Sequence, residues 1–178
     1  MFVNQKIVMK TDMDNSNKYG VIFVCHGNIC RSPMAEFILR RLINQASLAD
    51  YVEIASAATS DEEIGNPVYP LAKRILATHG IGCRLKTAQR LTPKMYDQYD
   101  LVIGMDSRNI ENIKLLIGDR PTEKLHRLLD FLPDDSPDHG RDIADPWYTR
   151  DFERAYSDIL LGCNALAEHL KASIVVEE

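Results

Sequence analysis

One junction constrains the chain more than any other feature. Four consecutive apolar residues, Val21-Ile22-Phe23-Val24, run directly into Cys25-His26-Gly27-Asn28-Ile29-Cys30-Arg31-Ser32 and then into a helical pattern opened by Pro33. A short β-branched and aromatic run without polar alternation suits a strand of a parallel sheet buried on both faces. Ser32 as N-cap and Pro33 in the first turn predict a helix over Met34-Ala35-Glu36-Phe37-Ile38-Leu39-Arg40-Arg41-Leu42-Ile43, where apolar residues recur at helical spacing. The opening unit is strand, tight loop, helix.

The unit recurs. Val52-Glu53-Ile54-Ala55 reads as a strand, followed by a helix around Pro70 to Thr78 closed by Gly80. Leu101-Val102-Ile103-Gly104-Met105 reads as a third strand, with a helix from Asn109 to Ile117. Leu125 to Leu129 fits a fourth strand and Phe152 to Leu170 a last amphipathic helix. Strands alternating with helices predict an α/β fold with a doubly wound parallel sheet, right-handed crossovers and a site at the carboxyl ends of its strands. The longest loop, Asp130 to Asp145, holds two prolines and six acids, and long loops in small domains are often functional.

At 178 residues and 45% hydrophobic, the chain suits one core and a single domain. That domain is expected over 19–178, after a flexible polar extension, 1–18, that contains Thr11-Asp12-Met13-Asp14-Asn15-Ser16-Asn17-Lys18. No apolar run approaches the ~20 residues of a membrane span, and no signal segment is evident. Cys25, Cys30, Cys83 and Cys163 are too few for a disulfide framework, so they are expected as thiols of a cytoplasmic protein. A net charge of -5 argues against a nucleic-acid partner, whereas a small anion needs only a few local donors.

The junction loop supplies such donors. A loop entering a helix presents unpaired N–H groups and the positive end of the helix dipole. Gly27 and Asn28 tolerate left-handed dihedrals, so successive N–H groups from His26 to Ser32 can turn inward around phosphate oxygens. Arg31 adds a planar fork matched to two of those oxygens. Cys25 sits at the mouth, where the positive field favours a thiolate able to attack phosphorus in line and form a phosphocysteine. The Ser32 hydroxyl can bond that sulfur and make it a better leaving group. A bare Cys and Arg separated by five residues suits an ordinary buried strand end better; the strand-loop-helix placement and the adjacent Ser turn the balance to the anion site.

Val24-Cys25-His26-Gly27-Asn28-Ile29-Cys30-Arg31-Ser32-Pro33-Met34-Ala35-Glu36 resembles the signature of the low-molecular-weight protein tyrosine phosphatases. The stretches 56–70 (SAATSDEEIGNPVYP), 99–110 (YDLVIGMDSRNI) and 145–148 (DPWY) are similar to that family as well. The resemblance runs from about Val21 to the final helix. It implies a single-domain, four-stranded parallel sheet flanked by helices on both faces, with no metal or organic cofactor. It also implies a monomer or weak dimer acting on a tyrosine-phosphorylated protein.

By this resemblance Asp145 is the general acid and then the general base. Pro146 stiffens its turn, and neighbouring rings can shield its carboxyl from water. Trp147 and Tyr148 are expected at the substrate rim, against the aryl ring. Asn28, Ser32, Ser56 and His79 are expected in a hydrogen-bond network behind the loop; alone, His79 before Gly80 reads as a helix C-terminus. Cys30 is implied as the partner of Cys25 in a reversible disulfide, and Cys83 and Cys163 are read as structural. His26 departs from the smaller or apolar residue usual after the nucleophile, and Gln89-Arg90 reverses a usual pair, leaving Arg90 without a role.

Four other readings compete. Arsenate reductase on the same fold needs two further cysteines in mid-chain, where only Cys83 stands. Phosphoarginine phosphatase is associated with Thr at the position of Ile29. A phosphate-binding module without catalysis needs neither Cys25 nor Asp145. A zinc site built on Cys25 and Cys30 lacks the usual ligand spacing.

Overall fold

The computed structural model describes residues 7–10 and 18–177. Its strands are β1 Ile7–Lys10, β2 Tyr19–Cys25, β3 Val52–Ala58, β4 Leu101–Gly104, β5 Leu125–Arg127 and β6 Ile174–Glu177. Its helices are α1 Arg31–Gln45, α2 Pro70–Thr78, α3 Pro93–Gln98, α4 Ser107–Ile117, α5 Pro146–Thr149 and α6 Phe152–Ser173, with a 3-10 turn over Leu128–Phe131.

β2, β3, β4 and β5 form a parallel four-stranded sheet in the order β3-β2-β4-β5. Along β2, Val21, Phe23 and Cys25 pack into a core shared with Ile38 and Leu39 of α1, Leu76 of α2 and Leu166 of α6. Ile22 and Val24 pack into a second core with Tyr96 of α3 and with Ile113 and Ile117 of α4. Both faces of β2 are therefore covered, which is why the strand shows no polar alternation. Each fully buried aliphatic side chain contributes about 1.5–3 kcal/mol through the water it sheds. β2 lies between β3 and β4, so the chain departs from it in both directions, and that reversal opens a crevice beyond its carboxyl end. Cys25 is the last residue of β2 and Arg31 the first of α1.

Several elements differ from the sequence expectation. α1 begins at Arg31 with Cys30 in the N-cap position and no side-chain cap, so Ser32 lies inside the first turn with its hydroxyl turned to Cys25 and Asn28. The fourth strand is three residues long, and the chain then tightens into the 3-10 turn, where Asp130 accepts from Arg127 N at 2.8 Å. α3 is an element the sequence reading lacks, although Thr92 accepts from Met95 N at 3.1 Å and Pro93 opens it; six residues are too few to show a period. Ile7–Lys10, inside the segment read as a flexible extension, pairs as a parallel strand with Ile174–Glu177. The short run Ile7-Val8-Met9 finds its partner only because α6 delivers Ile174-Val175-Val176 beside it. The remainder of that extension before Lys18 lies outside the described residues.

Candidate active site

The loop from Cys25 to Ser32 is bent around its own N–H groups. The carbonyls of Cys25, His26 and Ile29 accept from Thr59, Ser60 and Tyr69 N–H at 2.8, 3.0 and 2.8 Å, which ties the loop's oxygens to neighbouring backbone. Among the described residues no hydrogen bond takes the N–H groups of Gly27 to Ser32, the donors an anion would need. Asn28 has φ 57°, the left-handed region that non-glycine residues seldom occupy.

That conformation is held by the Asn28 side chain. Its Nδ2 donates to Ser32 Oγ and to Ser56 Oγ, both at 2.8 Å, and its Oδ1 accepts from Gln89 N at 3.1 Å. Ser56 Oγ in turn donates to Glu36 Oε2 at 2.5 Å, and Lys86 Nζ lies 3.2 Å from the same carboxylate oxygen. Lys86 Nζ and Gln89 Nε2 both donate to Ser56 O at 3.1 Å. Glu36, Ser56 and Asn28 are buried, so each bond replaces one to water that is no longer available. At the front of the chain, Ser32 Oγ lies 3.0 Å from Cys25 Sγ. Because Asn28 already donates to Ser32 Oγ, the hydroxyl proton is left for the sulfur, its closer acceptor, with Ala57 O at 3.4 Å. Lys86 and Cys25 thus stand at the two ends of one polar chain.

Arg31 is a buried cation, 2% exposed. Its Nη1 donates to Asp106 Oδ2 at 2.5 Å and to Ile143 O at 2.9 Å, and its Nη2 donates to Asp145 Oδ2 at 2.5 Å. Burial alone would lower the guanidinium's pKa, but the charges of Cys25, Asp145 and Asp106 outweigh it and hold it above the ordinary arginine value. Asp106 also caps α4, its Oδ1 accepting from Asn109 N at 2.6 Å. One carboxylate therefore starts a helix and aims the arginine.

Asp145 caps α5, with Oδ1 accepting from Trp147 N at 3.0 Å. Its carboxylate meets the Arg31 guanidinium, and the Trp147 ring packs edge-on against Tyr69 at 5.3 Å between centroids. Trp147 and Tyr148 are exposed and line the cleft together with Cys25, His26, Gly27, Ile29, Cys30, Arg31, Glu62, Glu63 and Asp145. Elsewhere on the cleft wall, His26 Nε2 lies 3.1 Å from Glu62 Oε2. At Gly27 a Cβ would come 3.2 Å from Glu63 Cγ, so the smallest residue sits where this wall closes in. Cys30 is a free thiol lining the same cleft; burial first, then the charges of Cys25 and Asp145, push it well above the ordinary thiol range.

The structure therefore brings together Cys25, Asn28, Arg31, Ser32, Ser56 and Asp145. His79 does not join them. It closes α2, and its ring stacks on Tyr156 at 4.0 Å, the helix-end reading that its place before Gly80 suggested. Arg90 pairs with Asp61 at 3.6 Å on an exposed loop. Asp106, Gln89, Glu36 and Lys86 escape the sequence reading. Only Asp106 and Glu36 leave a signal: an acid placed to cap a helix, and a charge amid the apolar positions of α1. Among the described residues no cluster of His, Cys, Asp and Glu is arranged to hold a metal ion, and no helix is long and apolar enough to cross a membrane.

A cysteine at a strand end, a loop of free amides closed by an arginine and an acid bonded to that arginine form, on a small parallel α/β fold, a cleft whose parts suit a phosphatase. Residues 20–176 match the model of the low molecular weight phosphotyrosine protein phosphatases. The low molecular weight protein-tyrosine-phosphatase YfkJ of Bacillus subtilis is 37% identical over 158 residues, 89% of this chain and 97% of its own length. PtpA of Staphylococcus aureus is 33% identical over 150 residues, 84% of this chain and 92% of its own. The crystal structure of YfkJ superposes with a TM-score of 0.83 at 35% identity, covering 87% of this chain and 96% of the other. That of the Streptococcus pyogenes low molecular weight protein tyrosine phosphatase gives 0.75 at 35% identity, covering 85% and 93%. The chain belongs to the low molecular weight protein tyrosine phosphatase family and is a phosphatase enzyme.

Proposed function

We propose that this phosphatase hydrolyses phosphotyrosine in proteins through a phosphocysteine on Cys25, with Asp145 as acid and then base. The observation that carries this reading is the convergence on one cleft of the Cys25 sulfur, bonded to Ser32, and of Arg31, bonded to Asp145. A phosphate in the loop takes the amides of His26 to Ser32 and competes with Asp145 for Arg31 Nη2, while Asp106 keeps Nη1. Released from the guanidinium, Asp145 in its protonated form turns to the leaving oxygen.

The thiolate of Cys25 then attacks phosphorus, the S–P bond forms and the P–O bond to tyrosine breaks. Asp145 gives its proton to the departing phenolate oxygen. Arg31 and the amides hold the equatorial oxygens through the transition state. Water next attacks phosphorus, giving its proton to the Asp145 carboxylate; the S–P bond breaks, and Ser32 donates to the sulfur that leaves as thiolate. Trp147 and Tyr148 form the aromatic side of the slot for the tyrosine ring. The aromatic rim and the bulk of Ile29 favour aryl phosphate over phosphoarginine. In the cytoplasm the four thiols stay reduced, and peroxide converts Cys25 to a sulfenic acid from which the Cys30 thiol displaces water to form a disulfide.

The test is turnover of an aryl phosphate, phosphoarginine and a phosphotyrosyl peptide by the wild type, Cys25→Ser and Asp145→Ala. Cys25→Ser is expected to be inactive on every substrate. Asp145→Ala is expected to lose least on the most acidic leaving group. Unchanged rates in Cys25→Ser would defeat covalent catalysis, and faster turnover of phosphoarginine would replace the substrate.

A further inference from the structure

We propose that Arg141 and Asp158 are positioning residues for the acid step, a clamp that holds the loop bearing Asp145 against α6. The proposal rests on the reading of Asp145 as general acid.

The loop from Leu132 to Asp145 contains no helix or strand, yet it must present a carboxylate to within hydrogen-bonding reach of one oxygen. Its last four residues are pinned on two sides. Asp142 Oδ1 accepts from Ser107 N and Oγ, each at 2.9 Å, at the start of α4. Ile143, fully buried, donates its N–H to Met105 O at 2.9 Å and offers its carbonyl to Arg31. The third side is Arg141. Its Nη2 and Nη1 donate to Asp158 Oδ1 and Oδ2 at 2.6 and 3.0 Å, and its Nε donates to Asp138 Oδ1 at 2.5 Å. Arg141 and Asp158 tie this loop directly to α6 through two hydrogen bonds.

The pair has the marks of a locating device. Asp158 is 5% exposed and also accepts from Arg154 Nε at 3.0 Å, so its carboxylate is fixed by three donors. A two-bond fork fixes direction as well as distance. Arg141 stands four residues before Asp145, and α6 begins three residues after α5, so the clamp and the helix it grips bracket the acid in the chain. Arg31 is held by Asp106 from outside this loop, and Ile143, which also accepts from Arg31, keeps its own bond to Met105. Loosening Arg141 therefore displaces the acid while leaving the phosphate cup in place. A misplacement of about 1 Å at a reacting group can cost about 10²-fold in rate.

The experiment uses the full chain with Arg141→Gln, Asp158→Asn and, as reference, Asp145→Ala. For each, kcat/KM is measured on aryl phosphates whose leaving phenols run from strongly acidic to tyrosine-like, together with inhibition by inorganic phosphate. Both clamp variants are expected to stay within about twofold of wild type on the most acidic phenol and to fall about 10- to 100-fold on the least acidic. Phosphate inhibition is expected not to weaken, because Asp106 still holds Arg31 and a displaced Asp145 competes less for it. A clamp serving stability alone would lower the melting temperature and leave the leaving-group dependence where it was, which overturns the proposal. Equal losses on all phenols overturn it as well. If Asp145→Ala shows no leaving-group dependence, the acid assignment fails and the clamp's role fails with it. Should Asp158→Asn fold poorly, Arg141→Lys keeps the charge without the fork, and it must show the same dependence for the proposal to stand.

Discussion

Arg31 and Asp145 are bonded to each other, guanidinium Nη2 to carboxylate Oδ2 at 2.5 Å. The group proposed to clamp phosphate and the group proposed to protonate the leaving oxygen thus hold one another. On the proposed reading, Asp145 competes with phosphate for that arginine. Asp145→Ala is therefore expected to bind inorganic phosphate about tenfold more tightly, a gain of about 1.4 kcal/mol, while turning over aryl phosphates more slowly. Competitive inhibition constants for the wild type and the variant measure it; weaker phosphate binding in the variant would show that Asp145 supports the cup rather than competing with it.

Asn28 separates backbone strain from side-chain bonding. Ala in its place loses three hydrogen bonds and must hold φ 57° at a cost of about 1–2 kcal/mol. Gly in its place loses the same bonds without that steric cost. Both variants are expected to lose about 10²-fold or more in kcat, with Ala the less stable by about 1 kcal/mol in urea unfolding. Near-normal kcat in Asn28→Gly would mean that the left-handed turn alone shapes the loop.

Asp158 links stability to pH. Desolvation works against its charge, but the hydrogen bonds from Arg141 and Arg154 prevail and hold the carboxyl below its ordinary range. A group depressed in the folded state stabilises the protein above its unfolded value, about 3.9, and loses that contribution as pH falls through the folded value. Asp158→Asn is thus expected to melt well below the wild type at pH 7, with the gap narrowing below about pH 4. Thermal melts at the two pH values check it; a constant gap would mean that the carboxylate's charge contributes nothing.

Gly162 marks the closest approach of α6 to the 3-10 turn. A Cβ there would stand 2.5 Å from Leu128 Cγ and 3.1 Å from Leu129 Cδ2. Alanine gains about 1 kcal/mol of helix propensity, while overpacking in a filled core costs about 1–3 kcal/mol or more. With both leucines buried, overpacking is expected to prevail, and Gly162→Ala should be the less stable by about 1–2 kcal/mol in urea unfolding. Increased stability would show that Leu128 repacks freely.

Much of the fold is legible because its signals are local. The apolar run of β2, the periodic helices α1, α4 and α6 and the Cys25-to-Ser32 loop each lie within a few turns of chain, where backbone stereochemistry and side-chain period act directly. α3 is too short to show a period, and β1 acquires meaning only beside β6. Within the site, Cys25, Arg31 and Asp145 follow from a motif and a resemblance, whereas Asp106, Gln89, Glu36 and Lys86 do not.

The residues alone determined that a strand would meet a helix across an eight-residue loop with a cysteine at one end and an arginine near the other. Tertiary structure decided what stands behind that loop. Asp106 reaches Arg31 across 75 residues of chain and Ile143 across 112, while Lys86 was brought to Glu36 and His79 sent to Tyr156. No local preference encodes such partners. A buried cation or amide must find donors and acceptors wherever packing delivers them, because water is no longer there to serve.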